Sequence, residues 1–309
     1  MEGENRHMGK DRAILVTGAG GFIGRSVGAA LRRTGLNYVG LDRRPGDDPV
    51  TGWQVCDITD GAALATVFRT HTIGAVIHLA AVLPTAARAH PELATRVNVV
   101  GSANLIDAAV SSGVERFIFG SSMSVYGAEG NGSPLSEDCP AQPTDLYGAA
   151  KRYVEIYGET IAQTKRLSFT ALRIATVVGP GARHTASPWR SEIFERLGTG
   201  ASRPIVIPYP EDAVLSLVHV EDVARMLILL ARRENIPSQT YNTPAENCRA
   251  RELKRLVEAL EGSPRVELDN ASQRRAPPVA DGARFVRDFA YAAPSLAERL
   301  GKAAAKAGV

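Results

Sequence analysis

Tyr147 and Lys151 lie four residues apart, a spacing that places both side chains on one face of a helix. An ammonium group beside a phenol stabilises the phenolate and lowers the pKa of the phenol. A phenol tuned in this way can exchange a proton with a substrate alcohol near neutral pH. The pair therefore predicts a general acid/base for alcohol chemistry, although Tyr and Lys also meet at this spacing by chance in many helices.

A glycine-rich segment lies upstream of this pair. Residues 13–16 read Ala-Ile-Leu-Val, as in a buried parallel strand, and Gly18, Gly21 and Gly24 follow at equal intervals. The first glycine permits a tight turn, the second lets the backbone approach a pyrophosphate, and the third lets the next helix pack closely on the strand. The pyrophosphate then lies at the N-terminus of that helix. The segment predicts a dinucleotide cofactor, bound by Gly18, Gly21, Phe22, Ile23 and Gly24.

An acidic residue ends the second predicted strand. Asp42 follows residues 38–41 and lies 24 residues beyond Gly18. This is close to the offset at which an acidic side chain binds the ribose hydroxyls of the adenosine half. A carboxylate there repels the 2′-phosphate of NADP, so the sequence predicts NAD. Arg43 and Arg44 follow directly and either soften that discrimination or lie in a solvated loop.

These motifs belong to a longer series. The others follow in this order: Cys56-Asp57-Ile58, His78-Leu79-Ala80-Ala81, Asn98-Val99-Val100-Gly101, Ser121-Ser122-Met123-Ser124-Val125-Tyr126-Gly127, Tyr147-x-x-x-Lys151 and Leu172-Arg173. As a set they resemble the extended short-chain dehydrogenase/reductases, also called the NAD-dependent epimerase/dehydratase family. The resemblance covers about residues 13–230. Each motif is short, but the whole series in this order is specific.

The resemblance implies roles for individual residues. Tyr147 would be the general acid/base, and Lys151 would lower its pKa and bind the nicotinamide ribose. The catalytic Ser of the family lies four residues before the Tyr of a Val-Tyr-Gly element, which is Ser122 here. Ser124 is the nearest competitor, whereas Ser121 fits a strand-end residue bonded to backbone.

Further cofactor contacts are implied by the same resemblance. Asp57 would contact the adenine. Asn98 would lie near the cofactor site, but an Asn that opens a helix can equally be an N-terminal cap, so both interpretations of Asn98 stay open. The residues expected to line the cofactor groove are Asp57, Ile58, Leu79, Ala80, Ala81 and Asn98.

The alternation of strand and helix patterns predicts an α/β fold. Apolar runs recur at the rhythm of βαβ units, which predicts a doubly wound parallel sheet, or Rossmann fold, with a smaller C-terminal substrate lobe. Cofactor and substrate then meet above the carboxyl ends of the strands. The predicted parts are a disordered or tag-like start (1–11), an NAD-binding domain (12–178 and 214–245), a substrate lobe (179–213 and 246–300) and a tail (301–309).

Composition narrows the class of protein. A chain of 309 residues that is 44% hydrophobic can bury a large core. Without a membrane-length apolar run or a signal peptide, we expect a cytoplasmic protein that binds no membrane. Cys56, Cys139 and Cys248 lie far apart, so neither a disulfide framework nor a metal site is predicted. A formal charge of +3 without a long basic run gives no indication of nucleic-acid binding.

The substrate segment departs from the nucleotide-sugar pattern. Nucleotide-sugar members of the family usually carry an Asn where this chain has Thr176, and an Arg where residues 213–216 read Ala-Val-Leu-Ser. Losing two phosphate ligands argues against a nucleotide sugar, because charge-assisted contacts are the strong ones. The segment instead carries Arg173-x-x-Thr176, Pro180-Gly181, Ala186-Ser187 and Ser191-Glu192-Ile193, and on these residues it is similar to sugar-acid dehydrogenases of the family. The predicted substrate-binding residues for a small anionic molecule are Ser122, Ser124, Thr176, Arg183 and Arg190, with His184 and Arg88 as further candidates.

We therefore predict an NAD-dependent oxidoreductase that acts as a homodimer. It would transfer a hydride to or from a secondary alcohol of a small sugar or sugar-acid-like substrate. A nucleotide-sugar 4-epimerase or dehydratase with retained NAD is the alternative, because it would use the same Tyr147, Lys151 and Ser122. A non-catalytic NAD-binding module is a third possibility, although such relatives usually lack the Tyr or Lys that this chain keeps.

Overall fold

The computed structural model describes residues 12–46, 52–127, 132–182, 186–199, 203–272 and 276–307. Its strands are β1 (Ala13–Thr17), β2 (Tyr38–Asp42), β3 (Gln54–Val55), β4 (Ile73–His78), β5 (Arg116–Ser122), β6 (Ser168–Ile174), β7 (Thr176–Val178), β8 (Ile205–Ile207), β9 (Val214–His219), β10 (Thr240–Asn242), β11 (Glu246–Arg249) and β12 (Val266–Leu268). Seven of them form one sheet in the order β10-β6-β5-β4-β1-β2-β3. Every neighbouring pair in this sheet is parallel. The predicted doubly wound parallel sheet is confirmed.

Helices connect the strands. They are α1 (Phe22–Arg33), α2 (Gly61–Thr70), α3 (Pro84–Ala89), α4 (Pro91–Thr95), α5 (Ser102–Ser111), α6 (Leu146–Thr164), α7 (Trp189–Glu195), α8 (Val220–Arg232), α9 (Ala250–Glu258), α10 (Ala283–Phe289) and α11 (Leu296–Ala307). A π-helical stretch (Arg96–Gly101) joins α4 to α5, and a short 3₁₀ turn (Met123–Tyr126) follows β5. In the described part of the chain, no helix is long and apolar enough to cross a membrane.

The main sheet is covered by helices on both faces. Along β1, Ile14 and Val16 pack into one core cluster and Leu15 into the other, because successive strand residues point to opposite faces. Residues of α1, α8 and α10 share the first cluster, and residues of α2, α5 and α6 share the second. Strands buried on both faces explain the near-continuous apolar runs of the sequence.

A third cluster lies away from the main sheet. Strands β11, β9 and β7 form a three-stranded sheet in that order, and β12 pairs with β8 in parallel. Apolar residues of α7, α9 and α11 pack with these strands, with Trp189 buried among them. Residues 301–307, which were predicted to belong to a tail, continue α11. Phe285 of α10 falls within the range predicted for the substrate lobe, but it packs into the first cluster of the main sheet.

Candidate active site

The glycine-rich turn joins β1 to α1 in the geometry expected for an anion cradle. Gly18 has φ +66°, and a Cβ there would lie 2.7 Å from the backbone nitrogen of Ala80. A Cβ on Gly24 would lie 2.1 Å from Gly18 O, so side chains are excluded at both positions. Gly21 precedes α1 and offers no side-chain cap, and the first N–H groups of a helix have no helical acceptor. These groups and the helix dipole suit a pyrophosphate.

Asp42 lies at the carboxyl end of β2, beside this turn. Its Oδ2 accepts a hydrogen bond from Gly20 N (3.1 Å), and its Oδ1 accepts one from Arg44 N (3.4 Å). The side chain is partly exposed, whereas Arg43 and Arg44 are exposed. A carboxylate in this place has lone pairs left to accept from two ribose hydroxyls.

The segment after β4 forms the next part of the groove. Thr17 Oγ1 accepts hydrogen bonds from Leu79 N (3.2 Å) and Ala80 N (3.3 Å), which fixes this backbone beside the glycine-rich turn. His78 is fully buried between Thr17 Oγ1 (2.7 Å) and Ser102 Oγ (2.9 Å). Burial lowers the pKa of His78 to about 3, so its imidazole is neutral at physiological pH and serves packing.

Asn98 lies within the helical stretch from α4 to α5 and is not an N-terminal cap. Its Oδ1 accepts from Val82 N (2.7 Å), and its Nδ2 donates to Val82 O (2.9 Å). The amide thus holds the chain directly after Ala81 in place. The interpretation of Asn98 as a cap is wrong, because the helix continues before it through Thr95.

The N-terminal turn of α6 carries Tyr147. Asp145 caps this helix by accepting from Gly148 N (2.7 Å), and a Cβ on Gly148 would lie 2.4 Å from Ser124 O. This close approach brings the partly buried Tyr147 to the end of β5, where the Ser122 hydroxyl is close enough to act on the pKa of Tyr147 through hydrogen bonding.

The three neighbouring serines have different surroundings. Ser122 Oγ lies 3.1 Å from Ser124 Oγ and also accepts from Ser124 N (3.1 Å). Ser121 instead points into the interior and donates to Glu155 Oε1 (2.6 Å). Ser122 is therefore the serine that the fold brings to Tyr147.

Lys151 lies one helical turn beyond Tyr147 and is 4% exposed. Its Nζ donates to Gly120 O (2.7 Å) and lies 4.6 Å from the centre of the Phe119 ring. The distance from Nζ to the centre of the Tyr147 ring is 5.6 Å. The ammonium group therefore lies under the site, between α6 and the end of β5.

A buried ionic network lies behind Lys151. Glu155 is fully buried and accepts from Arg173 Nε (3.0 Å) and Nη2 (2.8 Å). Arg173 Nη1 also donates to the Tyr126 hydroxyl (2.7 Å), which donates to Ser136 O (2.9 Å). Glu155 was not among the residues predicted from the sequence, although it lies four residues after Lys151 on the same helix face.

Comparisons with known proteins agree with this geometry. The family model for the NAD-dependent epimerase/dehydratase family matches residues 14–243. That match spans more than half of the chain. The chain belongs to the NAD-dependent epimerase/dehydratase family.

Individual relatives of this family include nucleotide-sugar enzymes. UDP-glucuronate 4-epimerase of Thermodesulfobacterium geofontis is 31% identical over 68% of this chain and 69% of its own length. The chain spans less than half the length of two UDP-glucuronate 4-epimerases of Arabidopsis thaliana that it also matches.

Two solved structures of the family are also similar. UDP-glucose 4-epimerase of Thermus thermophilus with NAD is 25% identical with a TM-score of 0.81, and covers 96% of this chain and 98% of that chain. MoeE5 with UDP-glucuronic acid and NAD is 30% identical with a TM-score of 0.78, and covers 93% of this chain and 96% of that chain. The chain is an NAD-dependent enzyme of the extended short-chain dehydrogenase/reductase type, with NAD as its cofactor.

The described residues fit NAD. The backbone around Gly18 and Gly24 leaves no room for a side chain, so the cradle stays open to a pyrophosphate, and Asp42 suits an unphosphorylated ribose. When bound, the cofactor supplies a carbon that accepts or returns a hydride.

Asp57 is exposed, and its Oδ1 accepts from Thr59 N (2.9 Å). Ile58 is buried against Gly101, where a Cβ would lie 2.7 Å from Ile58 Cγ1. Direct contacts of both residues with the cofactor stay predictions.

The electrostatics of the family's Tyr–Lys pair differ from the expectation. In the polypeptide itself, burial raises the pKa of Tyr147 to about 12, and Asp145 adds to the rise, against the Ser122 hydrogen bond and the charge of Arg190. Burial lowers the pKa of Lys151 to about 7, and Glu155 opposes this fall. The expected lowering of the Tyr147 pKa by Lys151 is therefore not found in the chain alone. Loss of hydration outweighs the spacing of the two groups.

The predicted substrate residues are brought together in part. Arg190 lies in the first turn of α7, close enough for its charge to lower the pKa of Tyr147. Thr176 is buried at the start of β7, and Arg88 is exposed on α3. Ser216, at a position where family members tend to carry an arginine, accepts from Ala280 N (3.1 Å) and so serves the fold.

Arg183 and His184 lie outside the described residues. Within the described ranges, no group of three or more His, Cys, Asp or Glu residues could hold a metal ion.

Proposed function

We propose that this enzyme transfers a hydride between NAD and a secondary alcohol carbon of a sugar that carries an acidic group. The observation that carries the proposal is the convergence of three groups on the Tyr147 phenol: Lys151, whose Nζ lies 5.6 Å from the ring centre, and Ser122 and Arg190, which both act to lower its pKa. This arrangement joins a proton-transfer group to a cation that can hold an acidic substrate beside it.

Each residue of the set has a defined task. Tyr147 removes the hydroxyl proton on oxidation and returns it on reduction, and Ser122 donates a hydrogen bond to the same oxygen as it becomes a carbonyl. With a pKa of about 12, the Tyr147 phenol is protonated at neutral pH and is ready to act as an acid. Oxidation requires the phenolate, which the charge of Arg190 and hydrogen bonding by Ser122 favour.

Three observations support an acidic sugar. Thr176 and residues 213–216 lack the Asn and Arg that the sequence analysis associated with a diphosphate. The charge of Arg190 acts on Tyr147, and Arg183, Arg88 and Ser124 are further candidates. The similar UDP-glucuronate 4-epimerase and the MoeE5 complex with UDP-glucuronic acid both concern a sugar acid.

A substrate screen tests the proposal. The enzyme with NAD is incubated with hydroxy acids, free sugar acids and UDP-, GDP- and dTDP-sugars, and the absorbance at 340 nm and the products are followed. We expect NADH to accumulate with a free sugar acid. Arg190→Gln should raise KM for the acid more than for the matching neutral sugar. Equal effects of Arg190→Gln on both would contradict the assignment of the acidic group.

A nucleotide-sugar 4-epimerase is the second candidate. The 31% identity to UDP-glucuronate 4-epimerase of Thermodesulfobacterium geofontis favours it. An epimerase retains both ketone and NADH and returns the hydride to the other face of the sugar. Formation of a C4 epimer from a nucleotide sugar without net NADH in the same screen would select this candidate over the first.

We also propose that two copies associate through α6 and the π-helical stretch before α5. Val100, Tyr153 and Ile156 are about half exposed on these neighbouring elements, and Tyr157 joins α6 to α5 by donating to Asp107 (2.8 Å). Exposed apolar patches of this kind mark interfaces. Ile156→Asp should give monomers in analytical ultracentrifugation, whereas the control Val206→Asp should leave a dimer. A dimer that survives Ile156→Asp would contradict the proposal.

Two further proposals concern the whole protein. The domain division is that of the sequence analysis, with NAD held by residues 12–178 and 214–245 and the substrate by the remaining lobe. We propose a cytoplasmic location, which the three free thiols of Cys56, Cys139 and Cys248 support, since reducing compartments keep thiols unpaired.

A further inference from the structure

Trp53 fills a slot that three glycines leave open beside the cofactor groove. Its indole ring lies within 4 Å of the positions that a Cβ would take at Gly20, Gly40 and Gly46. A Cβ on Gly46 would lie 2.6 Å from ring atoms Cζ3 and Cη2, and a Cβ on Gly40 would lie 3.1 Å from Cε3. Any side chain at Gly46 would therefore collide with the ring. The slot holds the indole against β2 and the segment that follows it.

The same slot adjoins Asp42. A Cβ on Gly20 would lie 3.2 Å from Asp42 Oδ2 and 3.7 Å from Trp53 Cη2, so the carboxylate and the edge of the indole converge on one point of the glycine-rich turn. The indole Nε1 donates to Arg44 O (3.1 Å), and Arg44 N donates to Asp42 Oδ1 (3.4 Å). Trp53 therefore reaches Asp42 through the backbone of Arg44.

We propose that Trp53 is a positioning residue for cofactor choice. It fixes residues 43–46 so that the Asp42 carboxylate, and not the guanidinium of Arg43 or Arg44, faces the adenosine ribose. A 2′-phosphate requires space and charged or N–H donors. The indole presents an apolar edge, its single donor is used by Arg44 O, and the amides of Gly20 and Arg44 already donate to Asp42.

Cofactor selectivity follows from this arrangement. Asp42 repels the phosphate by charge, and Trp53 prevents residues 43–46 from moving to bring the exposed arginines to it. The two effects are coupled because both depend on the backbone of Arg44, which donates to Asp42 and accepts from Trp53. Removing Asp42 alone should therefore weaken NAD binding without giving strong NADP binding.

Calorimetric titration of NAD and NADP into the whole protein tests the proposal. Trp53→Ala should lower the ratio of NAD affinity to NADP affinity by at least about fivefold, and Trp53→Phe, which keeps a ring but loses the donor, by about threefold. The control Val55→Ala changes an exposed residue of β3 near Trp53 and should leave the ratio unchanged. Trp53→Phe keeps the test decisive if Trp53→Ala does not fold.

A double-mutant cycle with Asp42→Ala measures the coupling. We expect the ratio in Asp42→Ala/Trp53→Phe to differ at least about threefold from the product of the two single effects. A wild-type ratio in Trp53→Phe would overturn the proposal. Equal losses of NAD and NADP affinity in that variant would also overturn it, because they would show that Trp53 only supports the fold.

Discussion

Lys151 carries a positive charge at a buried site, and burial disfavours that charge. The side chain is 4% exposed, and Nζ donates to Gly120 O and lies over the Phe119 ring. Burial lowers its pKa from the ordinary value of 10.5 to about 7. Between those values the unfolded chain holds one proton more than the folded chain, so this group makes stability rise with pH across that window. At pH 7 and below it opposes folding.

Lys151→Met should therefore stabilise the protein when no NAD is added. We expect the free energy of unfolding in urea to exceed that of wild type by a few kcal/mol, on the order of 2–4, at pH 7. The excess should shrink toward pH 10, because the unfolded chain then also begins to lose this proton and the cost of neutralising Lys151 on folding falls. The control Lys165→Met, at an exposed lysine after α6, should show little change. A Lys151→Met excess that is the same at pH 7 and pH 10 would contradict the assigned cause.

At the scale of elements, α6 is anchored to the sheet by polar contacts. Lys151 binds the backbone of β5, while Glu155 accepts from Ser121 at the end of β5 and from Arg173 on β6. These contacts fix the helix turn that carries Tyr147. The position of the phenol therefore depends on a buried ion pair as well as on apolar packing.

Removing one partner of the Glu155–Arg173 ion pair should lower the free energy of unfolding. Glu155→Gln leaves the Arg173 cation buried without its anion, and we expect a loss of about 3–5 kcal/mol in the free energy of unfolding. Glu155→Met/Arg173→Met removes both charges and should recover much of that loss. Equilibrium urea unfolding of the three proteins decides the matter. A double variant that is less stable than Glu155→Gln would show that the network stabilises by more than charge pairing.

Local patterns predicted the elements of the site better than its long-range contacts. The spacing of Tyr147 and Lys151 and the glycine-rich turn are encoded within a few residues, so the sequence could predict them. The pairing of Glu155 with Arg173 joins an α6 residue to β6, and the role of Asn98 depends on Val82. Such contacts depend on how the elements pack, which periodicity does not specify.

At the scale of the whole molecule, the cofactor turn is tied to the segment that leads into α7. Arg25 Nη1 donates to Gly20 O (2.6 Å), and its Nη2 donates to Gly181 O. The first turn of α1 thus contacts both the glycine-rich turn and the chain that follows β7. The pKa of Tyr147 also depends on the whole molecule, because burial by the fold raises it, whereas the local sequence predicted that it would be lowered.

We propose that Tyr147 transfers the proton while NAD carries the hydride. Tyr147→Phe tests it most directly, with calorimetric NAD titration and turnover of the substrate found in the screen measured on the same preparation. We expect NAD affinity close to wild type and turnover lower by about 10²–10⁴-fold, because the fold and the cradle are kept and the proton-transfer group is lost. Turnover within about threefold of wild type would contradict the claim.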